Sequence, residues 1–326
     1  MTNFRFGVQA YAADSATEWT ELAKGAEGLG YSCLSVADHY FGPGKALTEA
    51  SHPVQNLAAI PAMAAAAAVT DSIMIGSRVM CVDYHQPVVL AKSLATIDLL
   101  SDGRLEAGLG AGWITSEYKA MGIPMDRAGV RIDRMIEYIE LTRSFFAGAD
   151  LDHHGDHVTV TDMAAVPAAV QAGGPKIMVG GGSPRILATA GRLADIVSIN
   201  FDNSAGKIGA NGIGSGTPAG TAAKVGWIRE GVGERAPELG QNVEIEIGAY
   251  FTAVTDDGAA TREKMGAMFG MSGDQLAAYP HALVGSVDEI CETLQKRRQD
   301  YDISYVTVGA ATMHDFAPVV DRLAGT

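Results

Sequence analysis

The feature that most constrains this chain is an alternation. Short runs rich in β-branched and apolar residues are followed by longer stretches with helical spacing, and the pair recurs eight times. The strand-like runs are 5–9, 32–36, 73–79, 105–109, 177–179, 196–199, 244–250 and 305–308. The helical stretches are 16–28, 54–69, 87–100, 127–146, 184–193, 219–230, 259–269 and 287–298. Strands separated by helices pair in parallel through right-handed crossovers rather than through hairpins. Eight such units predict an α/β fold, a (β/α)8 TIM barrel, with a doubly wound open sheet as the alternative.

Two segments break the pattern. "GADLDHHGDHVTVTDM" combines turn residues with an alternating "HVTVT" and reads as a hairpin inserted before the fifth strand. "NFDNSAGKIGANGIGSGTPAG" has no periodicity and reads as a long loop after the sixth strand, of a length usually found in lids or disordered segments. No linker or close repeat divides the chain, so residues 1–326 are expected to form one domain.

Charge narrows the partners. Lys and Arg number 24 against 38 Asp and Glu, a formal charge of −14. That field repels nucleic acid and anionic membranes, so any anionic ligand must be held by local devices. The apolar tract "AAIPAMAAAAAV" is too short to span a membrane and is interrupted by Pro61. The opening "MTNFRFGVQAY" enters a strand-like run with no basic region or long apolar stretch, and no secretory signal is expected. Cys33, Cys81 and Cys291 form no Cys-x-x-Cys. Cys33 and Cys81 lie in apolar runs and read as buried, inert thiols, in keeping with a cytoplasmic protein.

In such a barrel the chemistry sits at the C-terminal ends of the strands. One of those ends is "MVGGGSPRIL". Glycine loses more conformational freedom on folding than any other residue, so Gly180, Gly181 and Gly182 predict a sharp turn or a close approach to the backbone. Ser183 suits an N-cap and Pro184 the first helical position. Unpaired amides and the helix dipole make this a candidate phosphate site, with Arg185 adding charge; tight helix–strand packing is the plainer alternative. In "RLEAGLGAGW", Gly108, Gly110 and Gly112 resemble part of a dinucleotide fingerprint. The spacing is G-x-G-x-G, however, and the acidic partner is absent. These glycines read instead as room for a flat ring.

Four stretches in this order resemble the luciferase-like (LLM-class) flavin and deazaflavin oxidoreductase superfamily, and within it the coenzyme F420-dependent branch. They are "GYSCLSVADHYFGP", "IGSRVMCVDYHQPVVLAKSLATIDLLSDGRLEAGLGAGW", "VGGGSPRILATAGRLADIV" and "HALVGSVDEICETL…DISYVTVGAATMHDFAPVVDRLAG". The resemblance implies a TIM barrel that binds a flavin-type ring at its mouth, usually as a homodimer. It implies that Asp38 and His39 lie beside ring and substrate. Ser77 and Arg78 would mark a bulge with a non-prolyl cis peptide behind the ring, with Met80 adjoining. Gly180, Gly181, Gly182 and Ser183 would hold the cofactor phosphate, and Ser116 would make a polar ring contact. Sugar-phosphate dehydrogenases of this branch have a Glu where Trp113 stands, and a Trp where this chain reads "YFGPGK". Both departures point away from sugar-phosphate oxidation and to a more apolar, aromatic substrate pocket.

The expected activity is hydride transfer between coenzyme F420 and a small, fairly apolar organic molecule; the alternative is an FMN-dependent monooxygenase using reduced flavin and oxygen. His39 is the candidate proton donor or acceptor, since imidazole serves in either direction near neutral pH. Asp38 orients it or binds the cofactor, although neighbours on a strand face opposite ways; a merely structural pair is the plainer reading. Gln9, Phe41, Trp113, Tyr118 and Asn200 are candidate pocket walls, with Tyr84 and His85 nearby. "DHHGDHV" invites a metal, yet it falls on the inserted hairpin and reads as a solvated turn. No metal is expected.

Overall fold

The computed structural model describes residues 2–326. Its strands are β1 (Arg5–Ala10), β2 (Cys33–Val36), β3 (Met74–Ser77), β4 (Met80–Cys81), β5 (Leu105–Gly110), β6 (Asp150–His154), β7 (Thr159–Ala164), β8 (Lys176–Gly181), β9 (Ile196–Ile199), β10 (Glu244–Ala249), β11 (Phe251–Val254), β12 (Ala282–Gly285) and β13 (Ile303–Gly309). Eight of them pair in parallel in the order β1, β2, β3, β5, β8, β9, β10, β13, and β13 returns to β1. The sheet closes into the expected (β/α)8 barrel, and the open-sheet alternative falls away.

Helices Ala16–Gly28, Ala59–Ala67, Pro87–Leu100, Ala128–Phe146, Pro184–Leu193, Pro218–Gly233, Val287–Tyr301 and Met313–Leu323 accompany the barrel strands. Their starts follow local chemistry. Ser15 accepts from the Glu18 amide, and Ser286 with Glu289 forms a capping box. Pro87, Pro184 and Pro218 open helices at a position where a missing N–H costs nothing. Strand residues sort by alternation: Phe6, Val8, Leu34 and Val36 join the layer under the helices, whereas Cys33, Met178, Ile196 and Tyr305 form a separate cluster inside the barrel. Arg5 plugs the far end, paired with Glu106 and with Glu244 (2.7 Å), its guanidinium 4.4 Å from the Tyr305 ring centre.

The third strand-like run is interrupted where the resemblance implied a bulge: β3 stops at Ser77, the Arg78–Val79 peptide is cis, and β4 resumes against β5. Opposite the break, Ser77 Oγ donates to the Gly108 carbonyl (3.0 Å) and accepts from the Gly108 amide (2.9 Å). The helix expected from residue 54 begins at Ala59. Asn56 instead brackets Ala13, taking its amide at 3.1 Å and donating to its carbonyl at 3.0 Å, and such side-chain bonds compete with helix. Beyond β10 the chain adds a parallel pair outside the barrel, β11 with β12, which the sequence reading missed.

The inserted hairpin is present as β6 and β7. Its "DHHGDH" tip is tied to helix Ala128–Phe146, where Glu137 accepts from the Asp156 (3.0 Å) and Val158 (2.7 Å) amides. Among the described residues no helix is long and apolar enough to cross a membrane.

Candidate functional site

At the C-terminal ends of the strands lies a cavity of about 710 Å³. Its walls come from seven of the eight barrel strand ends and from the loop that follows β9. Of the residues singled out from sequence, Gln9, Asp38, His39, Arg78, Trp113, Asn200 and the run Gly180–Gly181–Gly182–Ser183 all face it.

Asp38 and His39 follow β2, and their side chains take different partners. Asp38 is buried. Its Oδ2 accepts from the Cys81 amide (3.1 Å) and pairs with His85 Nε2 (2.7 Å), while Oδ1 is buried with no partner. Asp38 therefore does not orient His39. Nδ1 of His39 lies 2.8 Å from Glu117 Oε2, on the short helix Thr115–Met121. Glu117 is one of the residues here that sequence reasoning did not single out. The available signal was an acid in the first turn of a helix that opens directly after the glycine segment.

Aromatic rings bracket His39. Phe41 is parallel to it (centroids 5.7 Å, 7° apart), His52 sits at 4.5 Å and Trp113 meets it edge-on at 6.1 Å. His52 was not anticipated. Its Nδ1 donates to the Pro53 carbonyl (2.9 Å), and burial, then the neighbouring His39, push it down to about 4. Trp113 forms cavity wall; Phe41 backs His39 instead, so its expected place on the wall is corrected.

The floor is polar. Arg78 turns into the barrel, its Nε 3.1 Å from both Glu246 oxygens and its Nη1 donating to Gln9 Oε1 at 2.8 Å. Burial pulls the guanidinium pKa down, but Glu246 outweighs it and holds it above the ordinary value. Tyr11 OH also donates to Gln9 Oε1 (3.1 Å), and Tyr250 bridges Arg78 and Asn200. Tyr11 and Tyr250, both missed, line the cavity, and burial pushes the Tyr11 phenol up to about 12. The expectation of an apolar pocket holds for the aromatic wall, not for this floor.

Four expected contacts point elsewhere. Ser77 is spent on Gly108, and Met80 is fully buried in the layer under the helices. Ser116 donates to the Ala46 carbonyl at 2.7 Å. Tyr118 is buried and donates to Asp83 Oδ2 at 2.8 Å. Position at a strand end is shared by both faces of the chain, and these side chains take the inner or rear face. Cys33 and Cys81 are buried as expected, and burial pushes the Cys81 thiol up to about 12.

The glycines answer to packing first. A Cβ on Gly181 would strike the Ile186 side chain, and one on Gly182 the Phe201 backbone. A Cβ on Gly108 would meet the Ser77 carbonyl, on Gly110 Val79, and on Gly112 (φ +72°) the Tyr118 hydroxyl. The segment Gly108–Gly112 thus makes room for the β3–β4 bulge and Tyr118, correcting its reading as ring space. Gly180 is different: its nearest atom, Asn200 Nδ2, is 3.3 Å from an added Cβ. Ser183 caps helix Pro184–Leu193 through its backbone only, leaving its hydroxyl free. Arg185 reaches away to Asp133 (2.5 Å), so it adds no charge to this end.

The segment after β9 crosses the mouth. Ile208 N donates to the Ala50 carbonyl (3.0 Å), and Thr115 N donates to the Gly206 carbonyl (3.1 Å). Behind it, Lys224 donates to the Asn200 carbonyl (2.7 Å), and burial pulls its ammonium down to about 8.

Comparison with known proteins places this geometry in context. A family model described as luciferase-like monooxygenase matches residues 1–302. An uncharacterized protein of Mycobacterium tuberculosis is 30% identical over 202 residues, 58% of this chain and 70% of its own. An F420-dependent glucose-6-phosphate dehydrogenase of Amycolatopsis mediterranei is 30% identical over 165 residues, 48% of each chain. A pyrimidine monooxygenase of Escherichia coli is 30% identical over 210 residues, 64% of this chain and 58% of its own. The solved coenzyme F420-dependent tetrahydromethanopterin reductase of Methanopyrus kandleri superposes with a TM-score of 0.75 at 18% identity, covering 99% of both chains.

Proposed function

The chain belongs to the luciferase-like monooxygenase family, and from that premise we propose that it is a coenzyme F420-dependent oxidoreductase acting on a small organic molecule. The observation that carries this reading is His39: its Nδ1 is engaged by Glu117, and the ring otherwise borders the cavity. Deazaflavin as the cofactor draws on the F420-dependent relatives, with monooxygenase relatives, one of them FMNH(2)-dependent, standing at similar identity.

The residues present fit such a cofactor. Asp38 Oδ1 is a buried acceptor in want of a donor, which a ring N–H or a hydroxyl supplies. The amides that open helix Pro184–Leu193 have no intrahelical acceptor, and the free Ser183 hydroxyl stands beside them, as a phosphate requires. Gly180 leaves main chain open to the cavity. A bound deazaflavin would supply hydride chemistry; the protein supplies orientation, exclusion of water and a proton. Exclusion of water falls to Trp113, His52 and the strap 203–208. His39 gives a proton to the substrate oxygen, or takes it, at Nε2, the ring nitrogen not engaged by Glu117. The polar floor of Gln9, Tyr11 and Tyr250 suits a substrate bearing at least one hydrogen-bonding oxygen or nitrogen beside its apolar body.

The test is turnover with F420 against a panel of secondary alcohols, ketones and enones, run with and without oxygen. Turnover that is independent of oxygen is expected. Turnover only with reduced FMN and oxygen would instead favour the monooxygenase branch, to which the pyrimidine monooxygenase relative belongs.

A further inference from the structure

Glu117 occupies the first turn of helix Thr115–Met121, where an acid ordinarily sits in solvent, yet it is only 1% exposed. Three groups converge on it. Oε1 accepts from the Tyr40 amide at 2.6 Å, Oε2 accepts from Tyr84 OH at 3.0 Å, and His39 Nδ1 lies 2.8 Å from Oε2. These groups are themselves braced. Tyr84 packs on the rings of Tyr40 (6.0 Å) and Tyr118 (5.2 Å), and Phe41 and His52 pack on His39 and on each other.

An ionised carboxylate can only accept, so the nitrogen facing it carries hydrogen. In neutral His39 the lone pair is then at Nε2. We propose that Glu117 is a positioning residue: it fixes the Nδ1–H tautomer of His39 and so makes Nε2 the atom that exchanges a proton at the cavity. The assignment rests on the reading of His39 as the proton-transfer group. The Tyr40 amide ties the same carboxylate to the His39 backbone, so ring and anchor move as one unit. Orientation of a general base by a buried carboxylate is a recurring device, because the wrong tautomer places hydrogen where a lone pair is needed.

The test begins with long-range proton–nitrogen correlation spectra of histidine-labelled protein without cofactor, His39 being assigned by loss of its signals in His39→Asn. The expected wild-type pattern is protonated Nδ1 and bare Nε2; a bare Nδ1 overturns the proposal. Glu117→Gln, of nearly the same shape, is expected to shift His39 toward the other tautomer, because the Tyr40 amide holds the oxygen at the Oε1 position and leaves NH2 facing the ring. In the F420-loaded enzyme the same change should lower kcat at least about tenfold while leaving F420 affinity within about twofold, and Glu117→Asp should recover part of the loss. Unchanged spectra and unchanged kcat in Glu117→Gln would also overturn it. Should that variant fail to fold, the wild-type spectrum still decides. A wild-type protein with the expected tautomer but no F420 turnover would support the positioning and sink the functional reading.

Discussion

His85 Nε2 lies 2.7 Å from Asp38 Oδ2, the same oxygen that accepts the Cys81 amide, so both of these bonds fall on one side of its carboxylate. The other oxygen is buried and bare. Leaving a buried polar atom unpaired costs about 1–3 kcal/mol, more for a charged group, and a ligand that donates to it recovers that loss. Asp38→Asn keeps the shape but turns an NH2 group toward the cavity. It is expected to weaken F420 binding by at least about tenfold with a melting temperature close to that of the parent, checked by fluorescence titration and thermal denaturation.

His39 gives the complementary pattern. His39→Asn should leave F420 affinity nearly intact and lower kcat by about 10²–10⁴, the usual worth of a general acid–base group. Steady-state kinetics beside a binding titration separate the two effects. Equal losses in affinity and kcat would mean that the ring packs rather than transfers a proton.

The glycine run divides packing from binding. Gly182→Ala drives a methyl group into the Phe201 backbone, and Gly181→Ala drives one into Ile186. Gly182→Ala is expected to cost several kcal/mol, of the order of about 3, or to prevent folding, because backbone cannot move aside cheaply. Gly180→Ala meets only Asn200 Nδ2 at 3.3 Å and should fold, with weakened F420 binding as its main effect. Chemical denaturation and titration on the three variants check the order.

Stability should fall in mild acid. His52 is held down at about 4 and His281 at about 3, both chiefly by burial, against an ordinary value of 6.5. Below 6.5 the unfolded chain takes up these protons while the folded one does not, so stability is full above 6.5 and declines as pH falls. The decline ends near 4 for His52 and near 3 for His281. Each proton contributes up to about 1.4 kcal/mol per pH unit, less for His52, which borders the cavity. Glu27 extends the loss. Burial raises its pKa, but the Ser72, Ile73 and Asp71 amides outweigh that and hold it at about 2, so its contribution disappears between 4.5 and 2. Urea denaturation at stepped pH should show this slope, and His52→Asn should flatten its upper part.

The barrel was legible because its strands alternate with helices carrying apolar residues, several of which open on a capping Ser or Thr or on a Pro. What the sequence withheld was direction. Tyr118, Ser116 and Met80 occupy the predicted strand-end segments, yet they face Asp83, the Ala46 carbonyl and the core. Periodicity fixes a residue's face only over a long enough element, and these lie in the two-residue strand β4 or in the short helix Thr115–Met121. Glu117 and His52 reach His39 across the fold, one from 78 positions away, and no local pattern encodes such a meeting. The glycines were the sharpest signal and the most ambiguous, since crowding by the chain itself and approach by a ligand leave the same mark. β11 and β12 stayed hidden because a four-residue apolar run beside a turn has too little length to declare its period.

The central claim is that the barrel mouth is built for a deazaflavin. Titration of the purified protein with oxidised F420 and, separately, with FMN, followed by fluorescence, tests it most directly. The account predicts saturable F420 binding at micromolar concentration or below, weakened in Asp38→Asn, with FMN bound more weakly. Micromolar FMN binding with no response to F420 would contradict it.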